Sequence, residues 1–211
     1  MIVQLDADGI RAAAAAVAAG QCIVLPTDTV YGIGADATSP QAVQALLDAK
    51  QRGRDMPPPI LLPDAGLLPQ VAADVPEAAQ ALAEAFWPGA LTLILKALLP
   101  LDLGDRPETI AVRVPDHDST RNLLRATGLL AVSSANVSGK PPATTVAEAH
   151  AMLGDSVAVY LDGGPTAGDM PSTIVDLASN PACGRIVRQG VISAQAIREV
   201  WPTIDDGGAS A

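Results

Sequence analysis

Three basic side chains fall in one short segment whose composition suits a polyphosphate-binding loop. In AKQRGRDMPPP, residues 49–59, Lys50, Arg52 and Arg54 occupy alternate positions, and three consecutive prolines follow. The end of a helix favours cations by about 0.3–1 kcal/mol each, which accounts for one or two of them. The chain has only 13 Lys and Arg residues and a net charge of −10, so three cations together predict an anion site. The prolines restrict the loop, and a polyphosphate accepts several charge-assisted hydrogen bonds at once.

Three polar loops, each directly after a short apolar run, supply further groups for a ligand site. They are PTDTVYG after CIVL, SSANVSG after LLAV, and GGPTAGDMPST after VAVYLD. Glycines let backbone amides approach a ligand, and hydroxyl and amide groups fix its orientation. Ordinary turns have the same composition, so one loop alone carries little weight. The three loops together with the basic segment favour a small-molecule site. Their candidate side chains are Thr27, Asp28, Thr29, Tyr31, Ser133, Ser134, Asn136, Ser138, Ser172 and Thr173.

Other catalytic motifs are missing or weak. The sequence has no GxxxxGK[ST] phosphate loop and no GxSxG elbow. His117 lies in a polar turn and His150 within a predicted helix, where structural roles are the simpler interpretation. Residues 32–37, GIGADA, match GxGxxA after a strand, but the next helix is predicted to begin near Ser39, outside the motif. An NAD-dependent oxidoreductase is therefore the weakest alternative.

The composition argues against a nucleic-acid-binding or membrane protein. A net charge of −10 leaves no broad basic face for a phosphate backbone, and 2% aromatic residues make a poor platform for bases. The uncharged run at residues 12–27 is too short and too weakly apolar to span a membrane. Cys22 and Cys183 have neither zinc-site nor disulfide-framework spacing. We expect a cytoplasmic protein with reduced cysteines, and any link to RNA is expected to be indirect.

Helical periodicity alternates with apolar, strand-like runs along the whole chain, which predicts one α/β domain. Ser39 is predicted to cap a helix that has Pro40 at its first position. Further helices are predicted in GIRAAAAAVAAG, PEAAQALAEAF, STRNLLRATG, TVAEAHAMLG and SAQAIREV. Strands are predicted in CIVL, ALTLILK, TIAVRV, LLAVSS, VAVYLD, STIVDLA and GRIVRQ. This order does not determine the sheet topology. Residues 1–200 are expected to form the domain and residues 201–211 a flexible C-terminal tail.

Eight motifs occur in the order found in the YrdC-like family, which the chain resembles from about residue 12 to residue 197. They are LPTDTVYGIGADA, AKQRGRDMP, FWPGALTLIL, IAVRVPDH, AVSSANVSGKPP, LDGG, STIVDL and RIVRQG. The family's KxR…SxN signature corresponds to Lys50, Arg52, Ser134 and Asn136. The resemblance implies the single-domain form of the fold, a twisted mixed sheet flanked by helices around a concave cleft.

The family's bacterial members are threonylcarbamoyl-AMP synthases. The resemblance therefore implies condensation of L-threonine, bicarbonate or CO2, and ATP to threonylcarbamoyl-adenylate and pyrophosphate. A downstream transferase complex would then pass the threonylcarbamoyl group to tRNA, forming threonylcarbamoyladenosine (t6A). Mg²⁺ is expected to bind through the nucleotide phosphates, since no carboxylate cluster predicts a dedicated metal site. Direct tRNA binding is expected to be weak or absent.

The resemblance also assigns roles to individual residues. Lys50 and Arg52 are expected to be catalytic and to hold the phosphates. The residues expected around threonine or its carbamate are Thr27, Tyr31, Arg113, Ser134 and Ser172. Those expected to bind ATP are Lys50, Arg52, Arg54, Asn136, Thr144 and Arg188. Arg113 and Arg188 have the simpler alternative of strand arginines that reach a surface carboxylate or solvent.

This chain departs from the family pattern in three places, which leaves the finer ATP contacts open. Gly53 stands where many relatives have Pro, Pro171 where Glu often precedes Ser-Thr, and Pro142 with Ala143 where Ser-Pro is frequent. Two alternative functions remain. One is a double-stranded-RNA-binding module, which the net charge opposes. The other is the carbamoyl-transfer domain of hydrogenase-maturation proteins, whose zinc-finger and acylphosphatase segments this sequence lacks.

Overall fold

The predicted alternation of helices and strands is present in the computed structural model, which describes residues 1–205. Within this range the α-helices are Ala7–Ala18 (α1), Pro40–Ala49 (α2), Leu68–Val71 (α3), Glu77–Phe86 (α4), Asp118–Thr127 (α5), Val146–Leu153 (α6) and Ala194–Val200 (α7). The strands are Ile2–Gln4 (β1), Ile23–Leu25 (β2), Gly32–Asp36 (β3), Ile60–Leu61 (β4), Leu91–Lys96 (β5), Thr109–Arg113 (β6), Leu130–Ser134 (β7), Val159–Asp162 (β8), Thr173–Asp176 (β9) and Arg185–Arg188 (β10).

The helices begin where polar side chains can satisfy their first backbone N–H groups. Ser39 Oγ accepts a hydrogen bond from the Ala42 amide at 3.2 Å, which confirms the predicted start of α2. His117 Nδ1 accepts one from the Thr120 amide at 3.2 Å and caps α5. The structural interpretation of His117 is therefore confirmed. Thr145 caps α6 in the same way.

All ten strands of the described residues join in one mixed sheet. Their order is β1-β8-β2-β3-β7-β4-β6-β5-β9-β10. The parallel pairs are β1 with β8, β2 with β8, β4 with β6, and β5 with β9, and the other pairs are antiparallel. The predicted α/β fold with a mixed sheet flanked by helices is confirmed. This order brings the ends of β2, β6, β7 and β9 into one region, although the strands are far apart in sequence.

The GxGxxA segment is a strand and not a phosphate-binding turn. Its residues 32–36 form β3, which pairs antiparallel with β2 and β7. A Cβ atom on Gly32 would lie 2.6 Å from Val132 Cγ1, so glycine is needed here for close packing between strands. Since the dinucleotide fingerprint requires the glycines to lie in a turn that opens a helix, the structure gives the oxidoreductase alternative no support.

The core is aliphatic, as the low aromatic content requires. Buried Ala, Val, Leu and Ile side chains make up most of two clusters, with Tyr31 and Tyr160 the largest side chains that are almost fully buried. Both cysteines are free thiols. Cys22 is buried, and this burial raises the pKa of its thiol to about 11, whereas Cys183 is half-buried.

Part of the predicted flexible tail packs against the domain. The Ile186 amide donates to the Asp205 carbonyl at 2.7 Å, and the Asp205 amide donates to the Gly184 carbonyl at 3.1 Å. Ile204 is buried, and the Trp201 indole N–H donates to the Ala182 carbonyl. Residues 201–205 thus continue the backbone hydrogen bonding beside β10, and the flexibility of the tail stays a prediction. Residues 206–211 of the predicted tail lie outside the described residues.

Candidate functional site

A cavity of about 530 Å³ lies over β5, β6, β7, β9 and β10 and contains most of the predicted site residues. Its walls come from the loop after β2, the basic segment that follows α2, and the connection between β5 and β6. The polar and charged residues that line it are Thr27, Thr29, Tyr31, Arg52, Asp55, Thr92, Arg106, Thr109, Arg113, Ser133, Ser134, Ser172, Asp176, Arg185 and Arg188. We call Thr27, Thr29, Thr92, Arg113 and Ser172 the buried part of the cavity, and Arg106 and Arg185 its exposed part.

Arg113, at the end of β6, is the centre of the buried part. Its Nε donates to the Gly89 carbonyl at 2.9 Å, its Nη1 to Thr29 Oγ1 at 2.9 Å, and its Nη2 to Asp28 Oδ1 at 2.6 Å. Burial lowers the pKa of Arg113, and the charge and hydrogen bond of Asp28 oppose that shift. Because a guanidinium has five N–H groups, one on each Nη remains for a ligand. This geometry can hold a carboxylate or carbamate by two parallel hydrogen bonds.

The loop after β2 is held in place by its own threonines. Thr27 Oγ1 donates to the Val30 carbonyl at 2.7 Å and accepts from the amides of Thr29 and Val30. It also lies 3.0 Å from Thr29 Oγ1, and one of the two hydroxyls donates. Thr27 therefore shapes the loop, and Thr29 is the hydroxyl that faces the Arg113 guanidinium.

A second buried hydroxyl pair joins β5 to the segment before β9. Thr92 Oγ1 and Ser172 Oγ lie 2.8 Å apart, and both residues are almost fully buried. Arg188 Nη2 donates to the Ser172 carbonyl at 2.7 Å and to Ser172 Oγ at 3.2 Å. Ser172 is thus fixed from both sides, so that its hydroxyl has a defined position at the cavity wall.

Three guanidinium groups lie close enough to repel one another. Burial lowers the pKa of Arg188, and the positive charges of Arg113 and Arg52 lower it further. Arg52 Nη1 donates to Ser133 Oγ at 2.9 Å, whereas its Nε is buried and has no hydrogen-bond partner among the described residues. Burying an unpaired donor on a cation costs free energy, so this arrangement is suited to an anion in the cavity.

Lys50 lies behind this wall, not in the cavity lining. It is 2% exposed, and its Nζ donates to the Ser134 carbonyl, to the Asn136 carbonyl at 2.8 Å and to Asn136 Oδ1 at 3.3 Å. Burial and the nearby Arg52 charge lower its pKa to about 8. Since an ammonium has three N–H donors, all of those on Lys50 are in use within the protein. The predicted meeting of the KxR and SxN residues is present, and Lys50 contributes to it by binding the turn after β7.

Arg54 also points away from the cavity lining. Its guanidinium forms ion pairs with Asp102 and Asp105 and donates to Gln44 Oε1 at 3.2 Å. The sequence placed it with the phosphate ligands because it alternates with Lys50 and Arg52. Gln51, between Lys50 and Arg52, has a positive φ of 51°, so the chain turns within this segment and alternate positions do not share one face.

Asn136 and Thr144, predicted on the nucleotide side, do not line the cavity. Asn136 Nδ2 donates to the carbonyls of Val137 and Lys140, which closes the turn after β7. Thr144 donates from its amide and its hydroxyl to the Glu148 carboxylate, at 2.8 and 3.0 Å. Both residues therefore support the backbone around the site.

Tyr31 lines the cavity, but its hydroxyl is engaged elsewhere. The hydroxyl donates to the Gly164 carbonyl at 2.6 Å and accepts from the Gly163 amide at 3.2 Å. Burial is the main cause of the raised pKa of Tyr31. The ring is therefore a rigid wall that ties β3 to the loop after β8.

Seven of the residues that were assigned a role line the cavity, namely Thr27, Tyr31, Arg52, Arg113, Ser134, Ser172 and Arg188, and the candidates Thr29 and Ser133 line it too. Sequence reasoning missed several others that the fold brings there or next to it. Asp28 and Thr29 were among the candidate side chains of the loop after β2, but no role was assigned to either. Thr92 lay in an apolar strand pattern, where its polar character could have marked it. Nothing in the sequence pointed to Arg106 or Arg185.

The cavity is positively charged although the chain is acidic. Five arginines line it against two carboxylates, those of Asp55 and Asp176. Within residues 1–205, no group of three or more His, Cys, Asp or Glu side chains is placed to hold a metal ion. In the same range no helix has the length and apolar character needed to cross a membrane. The excess of arginines over carboxylates, together with the hydroxyl groups of the lining, makes the cavity suitable for an anion.

A known family model, Sua5_yciO_yrdC, described as telomere recombination, matches residues 15–190. The chain belongs to the Sua5/YciO/YrdC family. The resemblance to the YrdC-like family is thereby confirmed, and the match spans the cavity and the elements that form it.

Curated members of the Sua5/YciO/YrdC family resemble this chain closely. A protein of Mycobacterium tuberculosis named putative threonylcarbamoyl-AMP synthase is 48% identical over 194 residues, which are 91% of this chain and 88% of the relative. The threonylcarbamoyl-AMP synthase of Bacillus subtilis is 38% identical over 196 residues, 90% of this chain and 56% of the relative. This chain thus spans nearly all of the first relative and about half of the second.

Solved structures of the Sua5/YciO/YrdC family share the fold. The Pyrococcus abyssi Sua5 complexed with L-threonine superposes with a TM-score of 0.89 at 32% identity, over 97% of this chain and 62% of that chain. Escherichia coli YciO superposes with a TM-score of 0.82 at 25% identity, over 93% of this chain and 98% of that chain. A full-length HypF structure, at 20% identity, covers 86% of this chain and is alike in fold alone.

Proposed function

We propose that this protein is a threonylcarbamoyl-AMP synthase, which condenses L-threonine, bicarbonate or CO2, and ATP and releases pyrophosphate. The observation that carries the proposal is one cavity in which a buried arginine with two free N–H groups adjoins two further arginines. Membership of the Sua5/YciO/YrdC family and the names of the relatives support it. The threonine complex of the Pyrococcus relative supports threonine as the amino-acid substrate.

The buried part of the cavity suits the amino acid. The carboxylate or carbamate of threonine accepts hydrogen bonds from the two remaining N–H groups of Arg113. Asp28 and the Gly89 carbonyl hold the Arg113 guanidinium in one orientation. The hydroxyls of Ser134 and Ser172 line the same space. A polar side chain that pairs with the substrate hydroxyl rejects analogues without one, whereas a methyl pocket discriminates by only about 1–3 kcal/mol. The rejection of serine therefore depends on the methyl contact and is the weaker discrimination.

The arginines next to this pocket suit the nucleotide. A carbamate oxygen of the carboxylated threonine attacks the α-phosphorus, and the bond to pyrophosphate breaks. Negative charge on the departing pyrophosphate is neutralised by Arg52 and Arg188, whose guanidiniums are already placed without reorganisation. Lys50, with its donors on Ser134 and Asn136, acts here by holding the turn after β7.

The walls of the cavity protect an unstable intermediate. Carbamates decompose readily in water, and a partly dry site both slows this loss and strengthens each electrostatic contact. Tyr31 and the three prolines at residues 57–59 contribute rigid, apolar wall. Burial also lowers the pKa values of Arg52, Arg113 and Arg188. Binding of an anion beside these three arginines would offset the cost of burying their charges.

Mg²⁺ and the downstream partner belong to the proposal as well. Mg²⁺ would be carried by the phosphates of ATP, whose negative charge it would screen beside Arg52 and Arg188. The labile adenylate passes to a tRNA threonylcarbamoyl-transferase complex. A net charge of −10 disfavours binding of tRNA by this chain. In the proposal the tRNA is therefore bound by the transferase complex, and both act in the cytoplasm.

The test is pyrophosphate release from ATP with threonine and bicarbonate omitted in turn, together with mass spectrometry of the product. The proposal requires that pyrophosphate release needs both, and that a product with the mass of threonylcarbamoyl-AMP appears. Release that continues without threonine, or a product that lacks the threonyl group, contradicts it. Wild-type protein that binds double-stranded RNA in a salt-sensitive manner but forms no product would support the RNA-binding alternative instead.

A further inference from the structure

The exposed part of the cavity contains an arginine that no prediction assigned. Arg106 lies in the connection between β5 and β6, at residues 97–108, and its side chain lines the cavity. Among the described residues, its guanidinium has no hydrogen bond or ion pair, and only its backbone carbonyl is bound, by Thr109. An unpaired cation at the mouth of an anion site is available to a ligand.

Arg54 holds this connection from the other side. Its side chain pairs with Asp102 and Asp105, four residues and one residue before Arg106. Its carbonyl accepts a hydrogen bond from the Asp105 amide at 3.0 Å. A surface ion pair alone contributes little, but two carboxylates and a backbone bond converge on one residue here. The connection is therefore fastened to the basic segment directly next to Arg106.

Packing shows that the two segments fit closely. A Cβ atom on Gly104 would lie 2.4 Å from the Arg54 carbonyl oxygen and 3.2 Å from Pro57 Cβ, so glycine allows this contact. Leu103 is buried, belongs to the core and lines the cavity. Residues 102–106 thus form a fixed wall, with Leu103 anchored inward and Arg106 placed at the opening.

We propose that Arg106 is an additional ligand of the ATP phosphates and that Arg54 is the residue that positions it. Arg54 was predicted to be a phosphate ligand, but its guanidinium is occupied by Asp102 and Asp105, whereas that of Arg106 is not. Phosphate oxygens accept paired hydrogen bonds from a guanidinium, and the two lining carboxylates do not balance the five arginines. This inference rests on the proposed function, because it concerns the nucleotide of that reaction.

The test measures MgATP binding by calorimetry, which does not depend on turnover. Arg106→Ala is expected to raise the dissociation constant of MgATP about tenfold, since a charge-assisted contact is lost, while threonine affinity stays within twofold. Arg106→Lys is expected to recover part of the loss. Arg54→Ala is expected to weaken MgATP binding about threefold, because the wall loosens but the ligand remains. The matched control is Arg125→Ala on the surface of α5, which should leave binding unchanged.

A double variant separates positioning from direct binding. If Arg54 acts through Arg106, adding Arg54→Ala to Arg106→Ala weakens MgATP binding no further. Exchanging the charges, Arg54→Asp with Asp102→Arg, should restore most of the affinity that Arg54→Asp alone removes. Unchanged MgATP affinity in Arg106→Ala overturns the ligand assignment, and additive losses in the double variant overturn the positioning role. Failure of the proposed function appears separately, as wild-type protein that binds MgATP but needs no threonine to release pyrophosphate.

Discussion

The buried and exposed parts of the cavity differ in how completely their charges are paired. In the buried part, Arg113 already has three partners, and Asp28 neutralises it. In the exposed part, Arg106 and Arg185 line the cavity without a side-chain partner among the described residues. The first arrangement leaves only two N–H groups in a fixed direction, as selection of a small ligand requires. The second leaves whole cations free, which attract a multiply charged group with less demand on geometry.

The two parts also differ in what supports them. The buried part depends on hydrogen bonds between buried groups, such as those of Arg113 and the Thr92–Ser172 pair, and the turn after β7 beside it depends on those of Lys50. The exposed part depends on ion pairs near the surface, where solvent screens them. Substitutions in the buried part are therefore expected to cause larger losses of binding or stability than those in the exposed part.

The largest effect is expected from Arg113→Ala. Truncating one partner of a buried charge pair between protein and ligand costs about 2–5 kcal/mol, so loss of the guanidinium that binds the threonine carboxylate should lower threonine affinity about 100-fold. MgATP affinity, measured by the same calorimetry, should change much less. Circular dichroism must show that the variant is folded. A folded variant that still binds threonine within threefold of wild type would remove the distinction between the two parts.

The next largest effect, on stability, is expected from Lys50→Met, which keeps the length of the side chain and removes its hydrogen-bond donors. Three carbonyl-type acceptors lose their partner, so the free energy of unfolding should fall by about 2–4 kcal/mol. Thermal unfolding would register this as a drop of several degrees. The matched control is the exposed Lys96→Met on β5, which should have little effect. Equal stability of the two variants would show that Lys50 does not support the turn.

The burial of Lys50 is also expected to make the free energy of unfolding depend on pH, which gives an independent and smaller effect. The pKa of Lys50 is about 8 in the folded protein, against 10.5 for an ordinary lysine. Between these values the unfolded chain binds the proton more, so raising the pH through this window stabilises the folded state. The free energy of unfolding of wild type, relative to Lys50→Met, should rise by at most about 1.4 kcal/mol per pH unit between pH 8 and 10.5. Parallel curves for the two proteins contradict the burial of a charged Lys50.

The smallest effect is expected from Thr92→Val, which removes one hydroxyl from the buried part without changing the volume. Ser172 Oγ loses its partner at 2.8 Å, and threonine binding should weaken about two- to tenfold. Thr127→Val on α5, which removes a hydroxyl that is not part of the cavity lining, is the control. A larger loss than that of Arg113→Ala would mean that hydroxyl groups, and not the guanidinium, dominate threonine recognition.

Much of the fold was predictable because local signals and burial agree. Ser39 and Pro40 marked the start of α2, and apolar runs marked the strands that the sheet buries. Strand β3 was missed because Gly32 and Gly34 are poor strand formers. They are present in β3 because Val132 and Leu25 fill the space beside them. That requirement is tertiary, so no local pattern could reveal it.

The site was predictable as a set of segments but less so as a set of side chains. The KxR and SxN segments meet, yet Lys50 and Arg54 point away from the cavity, because the path of a loop decides where its side chains point. Arg188 shows a second limit. Strict alternation along β10 would place Arg185 and Val187 on one face and Arg188 on the other. The register shifts between Ile186 and Arg188, and all three line the cavity.

The contrast between the two thiols has a practical consequence. Cys22 is buried with its pKa raised to about 11, so at neutral pH it stays protonated and unreactive towards alkylating reagents. Cys183, half-buried, lies next to Ala182, whose carbonyl accepts the Trp201 indole N–H. A single fluorophore can therefore be attached at Cys183 of the unaltered sequence, within reach of energy transfer from Trp201, to report in solution whether residues 201–205 stay packed against the domain.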